Sequence, residues 1–164
     1  MNVLIFSDSH GRGELIGEVI ARQITPPDAI LFLGDGLRDL DLVDTGAAKL
    51  CCVRGNCDFA AFGEEEEQTL MLGGKRIFMT HGHRYGVKSG YGLAIARAVS
   101  RGADILLFGH THEPCLQIVE KGTAVGGRTL ERDLYVFNPG SLREGRFGML
   151  TIIGGQVILN NAEI

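Results

Sequence analysis

The sequence repeats one local pattern, a short apolar run followed at once by glycine and polar residues. Three such runs occur in the first third of the chain, at 3–6, 29–33 and 50–53. Helical spacing of apolar side chains covers residues 14–22, and a short aspartate-rich helix is predicted at 37–44. Strands that alternate with polar loops and helices are typical of a largely parallel sheet.

The second half of the chain adds hairpins to this pattern. Two of them turn at Gly73-Gly74 and Gly154-Gly155. The acidic run 64–67 is expected to be a solvated loop, and the stretch 122–133 a mobile loop. One α/β domain over residues 1–164, with two facing sheets and outer helices, accommodates both halves. The other predicted elements are a helix at 89–101 and strands at 104–108, 116–119 and 134–137.

Composition limits the classes of partner. The 164 residues are 45% hydrophobic and carry a net charge of −4 with no basic cluster, which argues against binding of duplex nucleic acid. A small phosphate ester stays open, because bound metal ions would supply local positive charge. The sequence shows no apolar run that could span a bilayer and no signal sequence, so we predict a cytoplasmic protein without a membrane partner. The four cysteines form no CxxC pair, which favours reduced thiols.

Metal-ligating side chains follow the predicted strands. All five histidines lie just after an apolar run and none on a plausible helix face. Because α/β folds bind ligands at the open end of the sheet, these side chains are expected to converge. Their donors are oxygen or imidazole nitrogen, which suits Mn²⁺, Fe²⁺, Ni²⁺ or Zn²⁺, and they are too many for one ion. The seven candidate ligands are Asp8, His10, Asp35, Asn56, His81, His110 and His112.

Each candidate ligand also has a purely structural explanation when it is taken alone. Asp8 or Asp35 could cap a helix, and Asn56 could occupy a turn. The arginines near the motifs could contact a substrate phosphate or could be solvated surface residues. The metal-site prediction therefore depends on joint placement. These arginines are Arg12, Arg38, Arg54 and Arg84.

The series Asp-x-His, Gly-Asp, Gly-Asn-x-Asp, His-Gly-His and Gly-His-Thr-His, in that order, resembles the calcineurin-like metallophosphoesterases. The resemblance is strongest to their small phosphodiesterase branch, called YfcE-like, and runs from about residue 3 to the turn at 138–141. It implies a four-layer αββα sandwich, in which two mixed β-sheets are flanked by helices and a dinuclear metal site lies at one end.

The resemblance also implies two divalent ions per chain, with manganese favoured and nickel, zinc, iron or magnesium as alternatives. A water or hydroxide between the metals would attack a small phosphodiester or nucleotide-like substrate. Related proteins are often homo-oligomers, either dimers or tetramers. One ion would be held by Asp8, His10, Asp35 and His112, and the other by Asp35, Asn56, His81 and His110.

The candidate catalytic residues are Asn56, Cys57, Asp58 and His83. The wider family has histidine where Cys57 stands, and that histidine protonates the leaving group or contacts phosphate. A thiol, with an ordinary pKa of about 8.5, can give a proton but cannot offer an imidazolium. We therefore expect weak protonation of the leaving group, with His83 or water as alternative donors. Cys57 could instead be a small buried apolar residue, and His83 could support His81.

Other functions stay open beside a dinuclear metal-dependent phosphodiesterase. A phosphomonoesterase would use the same ligands. A catalytically silent protein-binding scaffold of the retromer-subunit type would have a decayed site, whereas all seven ligand positions are filled here. A metal-dependent amidohydrolase does not account for Gly-Asn-x-Asp. The sequence therefore favours a metal-dependent phosphoric ester hydrolase.

Overall fold

The computed structural model describes residues 1–59, 61 and 63–164, and most of its regular structure is β-strand. The strands contain β-branched and other apolar residues between short glycine-containing turns, as the sequence predicts. In chain order the strands are β1 (Asn2–Phe6), β2 (Ala29–Phe32), β3 (Lys49–Cys52), β4 (Glu67–Leu72), β5 (Lys75–Thr80), β6 (Ile105–Leu107), β7 (Cys115–Val119), β8 (Ala124–Val125), β9 (Arg128–Thr129), β10 (Leu134–Asn138), β11 (Arg146–Ile153) and β12 (Gln156–Glu163).

Two α-helices accompany the strands, α1 (Glu14–Ala21) and α2 (Gly92–Ser100). Neither described helix has the length and apolarity needed to cross a bilayer. The predicted short helix near residue 37 is a 3₁₀ helix. The 3₁₀ segments are Leu37–Leu42, His83–Tyr85, Val87–Ser89 and Leu142–Glu144.

The two large sheets share one plan. The first has the order β12-β11-β1-β2-β3, and the second has the order β4-β5-β6-β10-β7. In the first, β1, β2 and β3 are parallel, and in the second, β5, β6 and β10 are parallel. Antiparallel strands complete both sheets. The parallel strands of each sheet therefore end at the same edge, where the loops that follow them meet.

Side chains on the parallel strands alternate between two faces, and this alternation creates the layers. On β1, Val3 and Ile5 lie in the core between the sheets, whereas Leu4 and Phe6 lie in the outer core with α1. On β5, Phe78 lies instead in the outer core with α2. The layers are thus helix, sheet, sheet and helix, which confirms the predicted αββα sandwich.

The acidic run 64–67 is a solvated loop only in part, because Glu64 and Glu65 are exposed whereas Glu66 and Glu67 form ion pairs. Glu67 begins β4, and its carboxylate accepts hydrogen bonds from Tyr85, Arg97 and Arg101. The hydrogen bond from Arg97 contributes most to lowering the pKa of Glu67 to about 2. For Glu67 the expectation was wrong because the cationic partners of this residue come from α2 and its flanks, which local composition cannot reveal.

The stretch 122–133 also has more structure than expected. It contains the short β8–β9 hairpin, and Leu130 packs into the outer core beside α2. This buried leucine holds the segment against the second sheet, so the stretch predicted as a mobile loop contains a short hairpin that is anchored to the core.

The two sheets approach closely at Gly148 of β11. A methyl carbon added there would lie 2.5 Å from Cε1 and 2.9 Å from Cζ of Phe137, which is buried in the core between the sheets. We predict that Gly148→Ala lowers the free energy of unfolding by about 1–3 kcal/mol, because a close-packed core cannot absorb the added carbon without strain. Urea unfolding followed by circular dichroism measures this change.

Gly17→Ala in α1 is the matched control for this prediction. Apart from the neighbouring residues and the backbone of α1 itself, no atom of the described residues lies within 4 Å of a methyl carbon added at Gly17. Alanine favours helix more than glycine does, so this variant should raise the free energy of unfolding by about 0.5–1 kcal/mol. Wild-type stability in Gly148→Ala would contradict the close contact between the sheets.

Candidate metal centre

Six of the seven predicted ligands meet at the carboxyl ends of strands from both sheets. The loops after β1 and β2 supply three of them, and the loops after β5 and β6 supply the rest. The donor atoms fall into two groups, and the members of each lie within 4.8 Å of one another. The groups are Asp8, His10 and His112, and Asp35, His81 and His110.

The first group brings together residues that are distant in the chain. Asp8 Oδ1 lies 3.2 Å from His112 Nε2 and 3.8 Å from His10 Nε2. The Nε2 atoms of His10 and His112 are 3.4 Å apart. Donors that share one ion at about 2.1 Å are separated by about 3.0–3.4 Å in tetrahedral or octahedral arrangements, so these spacings are close to those of a metal site.

The second group is similar and lies beside the first. His81 Nε2 is 3.3 Å from Asp35 Oδ2 and 3.2 Å from His110 Nδ1. Asp35 also belongs to a third set of donors within 4.8 Å, with His10 and Cys57. Asp35 therefore reaches donors of both groups, which is the placement that a bridging carboxylate requires.

Asp8 carries an oxygen that is suited to a cation. Its Oδ2 accepts hydrogen bonds from Ser7 Oγ at 2.5 Å and from the His110 amide at 3.0 Å. Its Oδ1 is buried and has no hydrogen-bond partner among the described residues. A buried carboxylate oxygen without a partner is unfavourable, whereas a divalent ion would satisfy it. Together with the oxygen and imidazole donors, this atom shows that the residues fit divalent metal ions.

The backbone of the cluster is strained at five of the candidate ligands. Among the described non-glycine residues, a positive φ occurs only at candidate ligands. Such conformations are unfavourable for side chains that carry a Cβ, and they persist where surrounding contacts impose them. Strain of this kind concentrates at functional sites. The residues are Asp8 at 56°, His10 at 44°, Asp35 at 59°, His110 at 67° and His112 at 63°.

Glycines in the motifs allow the loops to approach one another. A Cβ added at Gly109 would lie 1.9 Å from Ser7 Oγ and 2.8 Å from Asp8 Oδ2. A Cβ added at Gly55 would lie 2.1 Å from Asp35 Oδ1. These two glycines therefore give the carboxylates of Asp8 and Asp35 the space that they occupy.

The environment sets the protonation of His81 and His110. His81 Nδ1 donates to the Leu33 carbonyl at 2.8 Å, which turns Nε2 toward the cluster. Burial by itself lowers the pKa of His81, but the hydrogen bond that His81 donates to Asp35 and the charges of Asp8 and Asp35 raise it above its usual value. Burial and the charge of His81 lower the pKa of His110 to about 4. At neutral pH His110 is therefore uncharged and offers a nitrogen lone pair.

The Gly-Asn-x-Asp motif closes the centre on one side. The Asn56 side-chain nitrogen lies 3.3 Å from Cys57 Sγ, and both residues are exposed. Cys57 donates its backbone amide to Asp35 Oδ1 at 2.7 Å. Burial, together with the neighbouring Asp35 carboxylate, raises the pKa of the Cys57 thiol to about 11. The assignment of Asn56 as a metal ligand stays a prediction.

Asp58 holds the loop that carries Asp35. Its two carboxylate oxygens accept four backbone amides at 2.7–2.9 Å. These contacts are those of a residue that positions its neighbours, and a direct catalytic role for Asp58 stays a prediction. The donors are the amides of Asp35, Gly36, Leu37 and Gly55.

His83 lies at the rim of the cluster. Its ring is 5.4 Å from that of His81 and 6.2 Å from that of His110, measured between centroids. Its Nδ1 is buried without a hydrogen-bond partner among the described residues, and its Nε2 lies 4.0 Å from Glu66. Burial lowers the pKa of His83. Both a supporting role and a proton-transfer role stay predictions.

The sequence analysis missed several polar residues that support the centre. Asn138 donates to the Gly109 carbonyl at 3.1 Å, and Ser141 Oγ donates to the Asp8 carbonyl at 2.9 Å. Asp39 accepts hydrogen bonds from the hydroxyl of Ser9 and from a loop amide. Asn138 could have been found by the rule that identified the ligands, because it ends β10, a parallel strand beside β6.

Three of the four arginines near the motifs form ion pairs. Arg12 pairs with Glu14, while Arg54 and Arg84 both pair with Glu66. Glu66 therefore connects the loop that carries Asn56 with the loop that carries His83.

The family follows from a comparison with known proteins. Residues 1–154 match the family model for the calcineurin-like phosphoesterase superfamily domain. The chain belongs to this superfamily. The resemblance inferred from the motifs is thereby confirmed, and the names of its relatives indicate a metal-dependent phosphoesterase.

Two relatives in sequence are informative. The probable metallophosphoesterase YsnB of Bacillus subtilis is 34% identical over 143 residues, which cover 87% of this chain and 76% of YsnB. The phosphodiesterase YfcE of Escherichia coli is 30% identical over 107 residues. That match covers 58% of this chain and 46% of YfcE.

Solved structures share the fold over nearly the whole chain. A protein from Streptococcus pneumoniae described as a predicted phosphoesterase has a TM-score of 0.76 at 26% identity and covers 99% of this chain and 88% of its own. Vps29 of Chaetomium thermophilum has a TM-score of 0.71 at 15% identity, with 100% and 97% covered. Escherichia coli YfcE has a TM-score of 0.60 at 24% identity, with both chains fully covered. The Vps29 and YfcE structures, below 25% identity, establish the fold alone.

Asp58→Asn tests the positioning role of this carboxylate. Asparagine has one acceptor oxygen, and its amide group would face backbone N–H donors, so the loop that carries Asp35 should shift. We predict that the affinity for Mn²⁺ falls by about 10–100-fold, as is usual when a residue that orients a ligand is lost. Calorimetric titration of the metal-stripped protein measures this affinity.

Asp28→Asn is the matched control, because Asp28 also accepts a backbone amide, from Asn2, but lies on the loop before β2. It should bind Mn²⁺ as the wild type does. Unchanged affinity in folded Asp58→Asn would show that the loop keeps its position without this carboxylate.

Proposed function

We propose that the protein is a metal-dependent phosphodiesterase with two divalent ions that share Asp35. The observation that carries this proposal is the pair of adjacent donor groups, with Asp35 in reach of both. We assign Asn56, which follows β3, as the seventh ligand. One ion would be held by Asp8, His10, Asp35 and His112, and the other by Asp35, Asn56, His81 and His110.

Two bound divalent ions would lower the pKa of a water molecule and neutralise charge on the phosphoryl oxygens as the ester is cleaved. The chain itself fixes the geometry of the donors. Ser7 and the His110 amide hold Asp8 Oδ2, and the Leu33 carbonyl orients His81. Because these contacts are in place before substrate arrives, little reorganisation is needed during the reaction.

Protonation of the leaving oxygen is the step that the residues of this centre support least well. Cys57 is close to His10 and Asp35, and its thiol, with a pKa of about 11, keeps its proton at neutral pH. Such a thiol is a poor general acid. Burial lowers the pKa of His83, which leaves less of that ring protonated at neutral pH. We therefore propose that the enzyme depends on esters whose leaving groups need little protonation.

The remaining assignments belong to the same proposal. We favour manganese as the native metal and a small phosphodiester as the substrate, in accord with the named activity of YfcE. We also propose a cytoplasmic protein that forms a dimer or tetramer. A scaffold of the Vps29 type is supported by fold alone, and the filled ligand positions favour an enzyme. A phosphomonoesterase is distinguished by the assay that follows.

The first test is turnover of bis-p-nitrophenyl phosphate by metal-stripped protein. We expect hydrolysis after Mn²⁺ is added, weaker or no hydrolysis with Mg²⁺, and none without metal. We expect His110→Ala to lose at least about 100-fold in kcat/KM, because one ligand of the proposed second ion is removed. Release of p-nitrophenolate is followed by absorbance.

Leu93→Ala is the control variant, since Leu93 is an exposed residue of α2, and it should keep full activity. Faster hydrolysis of p-nitrophenyl phosphate than of the diester would favour the phosphomonoesterase. If the protein binds two ions per chain but hydrolyses neither ester, the proposal of an enzyme is wrong and a scaffold is favoured.

Cys57→His tests the proposed lack of a strong proton donor. An imidazole can protonate a poor leaving group, so the variant should gain about tenfold or more on methyl phenyl phosphate relative to methyl p-nitrophenyl phosphate. Rates for both esters and the metal content are measured together, because histidine could also ligate an ion.

Cys57→Ala provides the comparison without an ionisable side chain. Its rates should remain as steeply dependent on the leaving group as those of the wild type. If the ratio of the rates for the two esters is the same in Cys57→His as in the wild type, residue 57 is not the reason for weak protonation of the leaving group.

A further inference from the structure

A cavity of about 280 Å³ opens beside the candidate metal centre. Two proposed ligands, His10 and Asp35, form one part of its wall together with Cys57. Phe59 and Arg38 form another part. A phosphate held at the metal centre would therefore have one of its ester substituents next to this cavity.

Phe59 gives the cavity a feature that phosphoester hydrolysis alone does not require. Its side chain is 78% exposed, although a phenyl ring in water is unfavourable. A flat aromatic group can cover such a ring by stacking, and nucleobases stack on exposed aromatic side chains in many nucleic-acid-binding sites. The position of Phe59, at a cavity that begins at proposed metal ligands, links this stacking surface to the phosphate site.

Arg38 adds a positive charge to the same wall. Arg12, Arg54 and Arg84 are each paired with a glutamate, whereas Arg38 has no carboxylate within ion-pair distance among the described residues. An exposed guanidinium can contact a phosphate oxygen or the oxygen of a base or sugar. The acidic residues Asp35 and Asp58 also line the cavity, so a neutral group fits there better than a second anion.

We propose that this cavity binds the nucleoside part of a nucleotide-derived phosphodiester, with the base stacked on Phe59 and Arg38 beside the sugar and phosphate. The proposal rests on the proposed function, because the metal centre places the phosphate. The volume suits a ligand the size of one nucleoside, near the lower end of small-molecule sites. A small alkyl diester would leave the Phe59 ring in water. A nucleic-acid duplex would need many more cations than this one arginine.

The test compares a nucleotide with the corresponding sugar phosphate, which carries a hydroxyl in place of the base. Thymidine 5′-monophosphate and 2-deoxyribose 5-phosphate are titrated as inhibitors of methyl p-nitrophenyl phosphate hydrolysis, and as ligands of the manganese-loaded protein by calorimetry. We expect the nucleotide to bind about tenfold more tightly than the sugar phosphate. Phe59→Ala should abolish this preference without changing the affinity for the sugar phosphate.

Two further variants separate stacking from other effects. Phe59→Trp should keep or increase the preference, because it restores an aromatic face. Leu93→Ala removes a comparably exposed apolar side chain, 68% exposed on α2, and should change neither affinity. Arg38→Met should weaken both phosphates equally if the guanidinium contacts the phosphate.

The outcomes distinguish this proposal from the proposed function. Failure to hydrolyse methyl p-nitrophenyl phosphate with any metal would reject the phosphodiesterase, and calorimetry would still report the nucleoside preference. Normal hydrolysis with equal affinities for the two phosphates would reject the nucleoside site and leave the phosphodiesterase intact. A preference that survives in Phe59→Ala would also reject stacking on this residue.

Discussion

The centre depends on one constraint, the face-to-face packing of two sheets whose parallel strands end at the same edge. Residues such as Ile5 and Ile77 form the apolar layer between the sheets. This layer fixes the distance between the loops above it. The carboxylates of the first sheet and the imidazoles of the second then meet within hydrogen-bond range, as Asp35 and His81 do. A shift of one sheet against the other would separate the two kinds of ligand.

The stable packing of the two sheets also maintains backbone conformations and a buried oxygen that are unfavourable by themselves. Five candidate ligands have left-handed backbone conformations, and Asp8 buries an oxygen without a hydrogen-bond partner among the described residues. Small domains are only marginally stable, so such features persist where the rest of the structure compensates for them. Divalent ions would relieve part of this cost by bonding to the donors. The centre therefore combines a rigid support with donors that are poorly satisfied without metal.

The substrate side of the centre is built differently from the metal side. The proposed ligands are mostly buried or half-buried and held by several contacts, whereas Cys57, Phe59 and Arg38 are exposed. The fixed metal side can keep the chemical reaction constant. The few exposed residues on the substrate side can then determine which ester is bound. The thiol of Cys57 would then affect protonation of the leaving group, whereas the ring of Phe59 would affect binding of the ester.

The sequence by itself determined the strands of the two sheets and the ligand motifs, because alternation of apolar residues and glycine-flanked polar loops are local properties. The αββα layers followed from the family resemblance that those motifs carry. Only the tertiary structure decided which ligands meet, since His10 and His112 lie 102 positions apart. It also decided that Asp58 binds backbone amides and that Glu67 joins β4 to α2. The sequence shows the same aspartate or glutamate whether its carboxylate lies in a loop, an ion pair or a metal site. What distinguishes these roles is which atoms surround it, and sheet packing determines that.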